Sequence, residues 1–157
     1  MLKEALQNNF SKASGLVIDL RGRGGKVFVI NIVAKLLKDQ KKPTILIVDR
    51  ESRSAKEMLA HRLKGLPHIT LVGETTAGAV LPATMENLSS GAKLMIPTEK
   101  GDSRILPFMK NTKLEGRGAV PDINVQSYLP FSSGKDAILL KSIEILKKEI
   151  IGKLLRI

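Results

Sequence analysis

The sequence predicts one α/β domain built on a parallel sheet with crossover helices. Apolar runs at 16–20, 44–48 and 69–72 have the nearly unbroken Val/Ile/Leu character of strands buried on both faces. Two segments with helical spacing, 27–38 and about 55–64, lie between them. Glycine, proline or a polar turn marks the joins. An alternating β-α-β-α-β order implies parallel strands with right-handed crossovers, and sites in such sheets sit outside the carboxyl ends of the strands.

Residues 2–9 read as a short helix, broken at Ser14-Gly15. Leu16-Val17-Ile18-Asp19-Leu20 forms the first strand, and Arg21-Gly22-Arg23-Gly24-Gly25 turns it. In 27–38, Val29, Ile32, Val33, Leu36 and Leu37 share a face. Pro43 ends that unit before the strand Thr44-Ile45-Leu46-Ile47-Val48. A polar turn through Ser52 and Ser54 leads into a helix with Leu59 and Leu63 one turn apart, and Pro67 stops it ahead of Ile69-Thr70-Leu71-Val72. The second half changes character. Residues Asn87–Leu94 carry a hairpin signal, Met95-Ile96-Pro97 closes a strand, and turn residues surround 100–104 and 116–122. A last amphipathic helix spans about 135–155, with Leu139, Ile143, Leu146, Ile150 and Leu154 inside and Lys141, Lys147, Lys148 and Lys153 outside, a pattern for packing and not for a membrane surface.

The composition narrows the function. At 157 residues, with 43% hydrophobic and 26% charged residues, the chain fits a single globular domain spanning 1–157. Without cysteine, it has no disulfide, thiolate zinc site or cysteine nucleophile, and His61 and His68 offer little for a metal. No metal and no organic cofactor is expected. Lys and Arg exceed Asp and Glu by 26 − 15 = 11, which attracts phosphates, anionic membrane surfaces or acidic segments. Aromatic residues make up only 3%, so stacking platforms for single strands are nearly absent, and the lysines are scattered along the chain. Most of this charge reads as solvated faces, and nucleic acid is not expected as a partner. No apolar run approaches the roughly 20 residues of a membrane span. Met1-Leu2-Lys3-Glu4 enters a helix directly, so the chain reads as truncated at its N-terminus.

Two turns could carry chemistry. Gly22-Arg23-Gly24 begins like a dinucleotide fingerprint, but the third glycine would fall at Val27, and a P-loop would need glycine at Leu20. What remains is a tight strand-to-helix turn whose N–H groups could face a phosphate or an oxyanion. Ser54-Ala55-Lys56-Glu57 admits two readings. Ser-x-x-Glu is a capping box, in which Ser54 caps the helix and Glu57 reaches back. The same placement puts a serine hydroxyl beside unsatisfied N–H groups at the positive end of a helix, where negative charge is favoured.

Four segments taken in order resemble the tail-specific (carboxyl-terminal processing) protease family. Gly15-Leu-Val-Ile-Asp-Leu-Arg-Gly-Arg-Gly-Gly25 is similar to its strand, Asp-Leu-Arg and glycine pair. Ser52-Arg-Ser-Ala-Lys-Glu57 is similar to its Ser-Ala-Ser-Ala-Ser-Glu. Val72-Gly-Glu-Thr-Thr-Ala-Gly78 resembles Gly-Glu-x-Thr-x-Gly, and Leu114-Glu-Gly-Arg-Gly-Ala-Val-Pro-Asp-Ile-Asn-Val125 resembles the closing Glu-Gly-x-Gly-Val-x-Pro-Asp-Ile-x-Val. The resemblance implies a ClpP/crotonase-like core and a serine-type peptidase acting on polypeptide substrates. Ser54 would be the nucleophile, and the N–H of Ala55 with that of Gly24 or Gly25 would form the oxyanion hole. It also suggests an extracytoplasmic location, periplasmic or secreted.

The departures matter equally. The family's lysine base falls at Ala79, which has nothing to titrate. Gly65 replaces the aspartate beyond the nucleophile's helix, Arg23 the asparagine of the glycine turn, and Lys26 its last glycine. A tricorn-like and retinoid-binding-like branch also lacks that lysine and writes Thr-Ala-Gly as here. Its peptidases use serine, a histidine from an upstream strand and a downstream glutamate, which would be Glu115. An upstream segment of the same protein would then supply the histidine, and the usual PDZ region is missing. His61, seven residues beyond Ser54 on one helix, lies about 10 Å away, too far to serve as base. His68 reads as a surface residue at a strand entrance, while Glu74 and Asp122 could cap turns or do chemistry. The alternative function is a non-catalytic ligand- or peptide-binding module on the same fold.

Overall fold

A computed structural model describes residues 12–98, 113–127 and 134–155. The predicted helix at 2–9 and the turn residues at 100–104 lie outside them. The observed order is β1 (Leu16–Asp19), α1 (Val27–Asp39), β2 (Thr44–Val48), α2 (Ala55–Leu63), β3 (Ile69–Gly73), β4 (Ala83–Asn87), β5 (Lys93–Pro97), β6 (Ile123–Asn124) and α3 (Ala137–Leu154). Strands β1, β2, β3 and β6 form one sheet in that order, with every pairing parallel. β4 and β5 pair separately as an antiparallel hairpin. The mixed α/β architecture predicted from the sequence is the one observed.

The central strand shows why the apolar runs are unbroken. All five residues of β2 are buried, because both its faces are covered. Leu46 and Val48 face a core that includes Ile30, Ala34 and Leu37 of α1 and Leu59 and Leu63 of α2. Ile45 and Ile47 face Ile138 of α3 on the other side, with Ile145 and Leu146 against them. Two helices thus cover one face of the sheet and one covers the other, in three layers.

Two helix faces differ from the periodicity reading. In α1 the buried stripe is Ile30, Ala34 and Leu37, whereas Ile32 is 45% exposed. In α3 the buried residues are Ile138 and Ser142, whereas Leu139, Ile143 and Leu154 are exposed. The reason is the same in both. A small residue at the centre of the contact, Ala34 or Ser142, lets the helix axis approach closely, and the rotation follows that approach instead of the centre of the apolar arc. β6 carries no periodic signal in the sequence, because it has only two residues. Asp136 caps α3, accepting the Leu139 N–H at 3.0 Å. Among the described residues no helix is long and apolar enough to cross a membrane.

Candidate active site

The turns after β1 and β2 leave the sheet at the same edge and are tied together. Leu20 N–H donates to Ile47 O at 2.9 Å, and Gly22 N–H to Asp49 Oδ1 at 3.1 Å. Ser52, fully buried, accepts from Asp49 N–H at 3.0 Å. Its single proton is aimed at Asp49 Oδ1 (2.7 Å) or Leu20 O (3.1 Å). Lys56 reaches across from α2 and donates to Arg21 O at 2.7 Å. Glu51 lies between Arg23 (2.9 Å) and Arg53 (3.4 Å), one from each turn. The glycine turn is also anchored to α3, since Arg21 pairs with Asp19 and Asp136, each at 2.7 Å. Burial pushes the Asp19 carboxyl up, but Arg21 outweighs it and holds it below the usual carboxylate range. Asp136 is likewise held low, first by its hydrogen bond from Arg21.

Gly25 sets how closely the two turns meet. Its φ is +133°, and a Cβ there would lie 2.9 Å from Ala55 Cβ, so only glycine lets the turn rest on the first residue of α2. The N–H groups of Gly24, Gly25 and Ala55 have no acceptor among the described residues. They are donors of the type that stabilise a developing oxyanion.

Ser54, half-buried just before α2, has φ +57° and ψ −126°. A residue with a side chain seldom adopts this backbone, and holding it there costs about 1–3 kcal/mol. Its N–H donates to Ala79 O at 2.9 Å, and its carbonyl accepts from Met58 N–H at 3.0 Å. Its side chain makes no capping bond. The capping-box reading is therefore overturned: a cap needs extended backbone, and Ser54 is outside that region. Glu57 does not reach back either. Its carboxylate is fully buried and accepts from the Thr76 hydroxyl, Gly78 N–H (2.6 Å) and Ala79 N–H (3.0 Å). Because no cap bond is lost, Ser54→Ala should stay within about 0.5 kcal/mol of the parent. Ser54→Gly should gain up to about 1 kcal/mol by relieving the strain. Thermal melts of the three proteins test this, and a loss of 1–2 kcal/mol in Ser54→Ala would reinstate the cap.

The segments after β3 and before β6 form one clasp behind Ser54. Thr76 Oγ1, donating to Glu57, accepts from Ala119 N–H at 2.7 Å. Gly116 N–H donates to Gly78 O at 2.7 Å. A Cβ on Gly118 would fall 2.2 Å from Thr76 O, so the two segments could not close on any larger residue. Glu115 Oε2 accepts from Val80 N–H (2.8 Å) and Leu81 N–H (2.9 Å), directly beyond Ala79. Glu74 takes Ser127 N–H and Oγ at 3.3 and 3.2 Å, and Asp122 Oδ2 takes Leu71 N–H at 2.8 Å. Both therefore tie segments together.

The structure thus brings together Ser54, Ala55 and the Gly24–Gly25 turn, and places residue 79 against Ser54. Glu115 joins the same clasp, through backbone bonds to 80–81. His61 stands near the far end of α2, and burial, then Lys64, pushes its pKa down. His68 is not a surface residue: it is 7% exposed, and its Nε2 lies 2.8 Å from Leu37 O, because β3 begins underneath α1. Asp49, Ser52, Glu57 and Thr76 were not foreseen as partners. Only the Ser-x-x-Glu spacing signalled Glu57, and that spacing points to a different bond. No group of His, Cys, Asp and Glu suited to a metal occurs among the described residues.

Residues 31–125 match the model of peptidase family S41. The chain belongs to that family. The match covers the Ser54 turn, the clasp and β6 but begins after the glycine turn. Solved structures show the same fold. Tricorn protease superposes with a TM-score of 0.69 at 22% identity over 87% of this chain and 15% of its own. The photosystem II D1 C-terminal processing protease gives 0.55 at 22% identity over 87% of this chain and 43% of its own. A lipoprotein from Streptococcus agalactiae gives 0.56 at 20% identity over 92% of this chain and 58% of its own. The chain therefore spans between about a seventh and three fifths of the length of these three solved structures. The matched residues include both halves of the clasp, Gly73-Glu-Thr-Thr-Ala-Gly78 and Glu115-Gly-Arg-Gly118.

Proposed function

We propose that this chain carries the nucleophile and oxyanion hole of a serine-type peptidase with a ClpP/crotonase-like core. The observation that carries the reading is the strained backbone of Ser54 at a strand-to-helix turn, a geometry that presents a nucleophile while helix N–H groups remain free. Ser54 Oγ attacks the scissile carbonyl as its proton passes to a base. The oxygen that gains negative charge lies toward the N–H groups of Ala55 and of Gly24 or Gly25. As the C–N bond breaks, the amine leaves with that proton, and water then hydrolyses the acyl-serine. Ala79 cannot be the base, so a histidine from an upstream segment of the same protein takes that role, with Glu115 orienting it. The substrate is an extended polypeptide, including one entered through its free carboxyl terminus.

Ala79 also favours a second reading, a binding module that holds a peptide or other ligand without cleaving it. A fluorophosphonate separates the two. The peptidase reading expects labelling of the intact protein at Ser54 and none in its Ser54→Ala variant. Intact, folded protein that stays unlabelled would leave the binding module.

A further inference from the structure

The C-terminal turn of α2 and the segment 113–120 border an open surface cavity of about 390 Å³, at which Lys113 and Arg117 are exposed. Among the described residues, His61, Lys64, Lys113 and Arg117 line it, and its other described lining residues are uncharged. The nearest described carboxylate engaged with this group is Asp122, 3.5 Å from Lys64 Nζ. Lys64 also donates to Val120 O at 2.6 Å, which fixes that wall of the cavity. The helix end explains His61 and Lys64, since cations complement the negative end of the dipole. It does not explain Lys113 and Arg117, which arrive from a different segment. Their side chains have no hydrogen-bond or ion-pair partner among the described residues. Exposed like charges gathered at one open cavity create a positive potential that favours an anion there. A planar guanidinium beside an ammonium suits the oxygens of a phosphoryl group, which arginine can meet in a fork.

We propose that this cavity is an anion site for a phosphoryl group, held by Arg117 and Lys113 with His61 as a further donor once protonated. It stands near the opposite end of α2 from Ser54, so its test does not depend on the peptidase reading. Among the described residues, the charges near His61 are Lys64 on its own helix and Lys113 and Arg117 across the cavity, with Asp122 behind Lys64. A bound anion favours the charged imidazole, so the depressed His61 pKa should rise.

The chain has only two histidines, so NMR of the imidazole ring can follow His61 directly, and buried His68 reports that each variant is folded. Pyrophosphate titrated at physiological salt should saturate and raise the His61 pKa by about half a unit or more. Lys113→Ala with Arg117→Ala should weaken binding by at least about tenfold, and Arg117→Lys by less. Lys35→Ala with Lys147→Ala removes the same charge from exposed positions elsewhere and should change affinity by about twofold or less. Inorganic phosphate producing the same shift identifies the free ion as a sufficient ligand, whereas a shift with pyrophosphate alone points to a larger phosphate ester. Binding that does not saturate, a His61 signal that does not move, or equal losses in the two double variants would overturn the proposal.

Discussion

Replacing Glu57 should destabilise this protein more than any other single change near the site. Its carboxylate is fully buried and accepts three hydrogen bonds, from the Thr76 hydroxyl and the N–H groups of Gly78 and Ala79. Burying a charge is costly unless such bonds compensate it. Alanine would strand three donors in a dry interior, and each stranded group costs about 1–3 kcal/mol. The losses are not additive, because the loop can relax, and the expected total is about 3–5 kcal/mol. Glutamine keeps the shape but turns an NH₂ group toward donors, so about 2–3 kcal/mol should be lost. Urea unfolding measures both. A loss under about 1 kcal/mol in Glu57→Ala, with the fold retained, would mean that the clasp does not depend on this carboxylate. The effect should also reach the site, since Ala79 both donates to Glu57 and accepts from Ser54 N–H.

The second large effect is a gain. Ala79 is half-buried, with its carbonyl 2.9 Å from Ser54 N, and it occupies the place where tail-specific proteases resembling this chain keep their lysine. If Ser54 and its oxyanion donors are assembled and only the base is missing, Ala79→Lys should restore proton transfer. General-base catalysis typically contributes about 10²–10⁴-fold, so hydrolysis of an unfolded protein substrate should rise by at least about 100-fold over the parent chain. Adding Ser54→Ala to Ala79→Lys should abolish the gain. Partial burial favours the neutral amine, so the rate should increase with pH through a lysine pKa below its ordinary value. A folded Ala79→Lys protein without Ser54-dependent hydrolysis would show that more than the base is absent, and would favour the binding module.

Much of this molecule is legible from local sequence. The apolar runs at 16–20, 44–48 and 69–72 are strands, because unbroken Val/Ile/Leu stretches need cover on both faces. The hairpin ending at Met95-Ile96-Pro97 is legible through its turn residues. The order of elements followed, and so did the meeting of the glycine turn with the Ser54 turn at one sheet edge, because parallel strands deliver successive turns to the same edge. These features depend on residues close together in the chain.

What tertiary structure decided depends on residues far apart in it. Ser54 and Glu57 have the spacing of a reciprocal cap, yet the cap does not form. Ala79 O captures Ser54 N–H, while the Thr76–Ala79 segment captures the Glu57 carboxylate. A buried carboxylate with three donors outcompetes one bond at a solvated helix end. Close packing set the helix faces, where the small residues Ala34 and Ser142 are buried. His68 lies beneath α1, where Leu37 O offers its ring nitrogen a partner that water would otherwise supply. Local sequence determined which segments are strands, helices and turns. Only the folded chain decided which partner each polar group near Ser54 takes, because those partners converge from separate segments and compete for the same few hydrogen bonds.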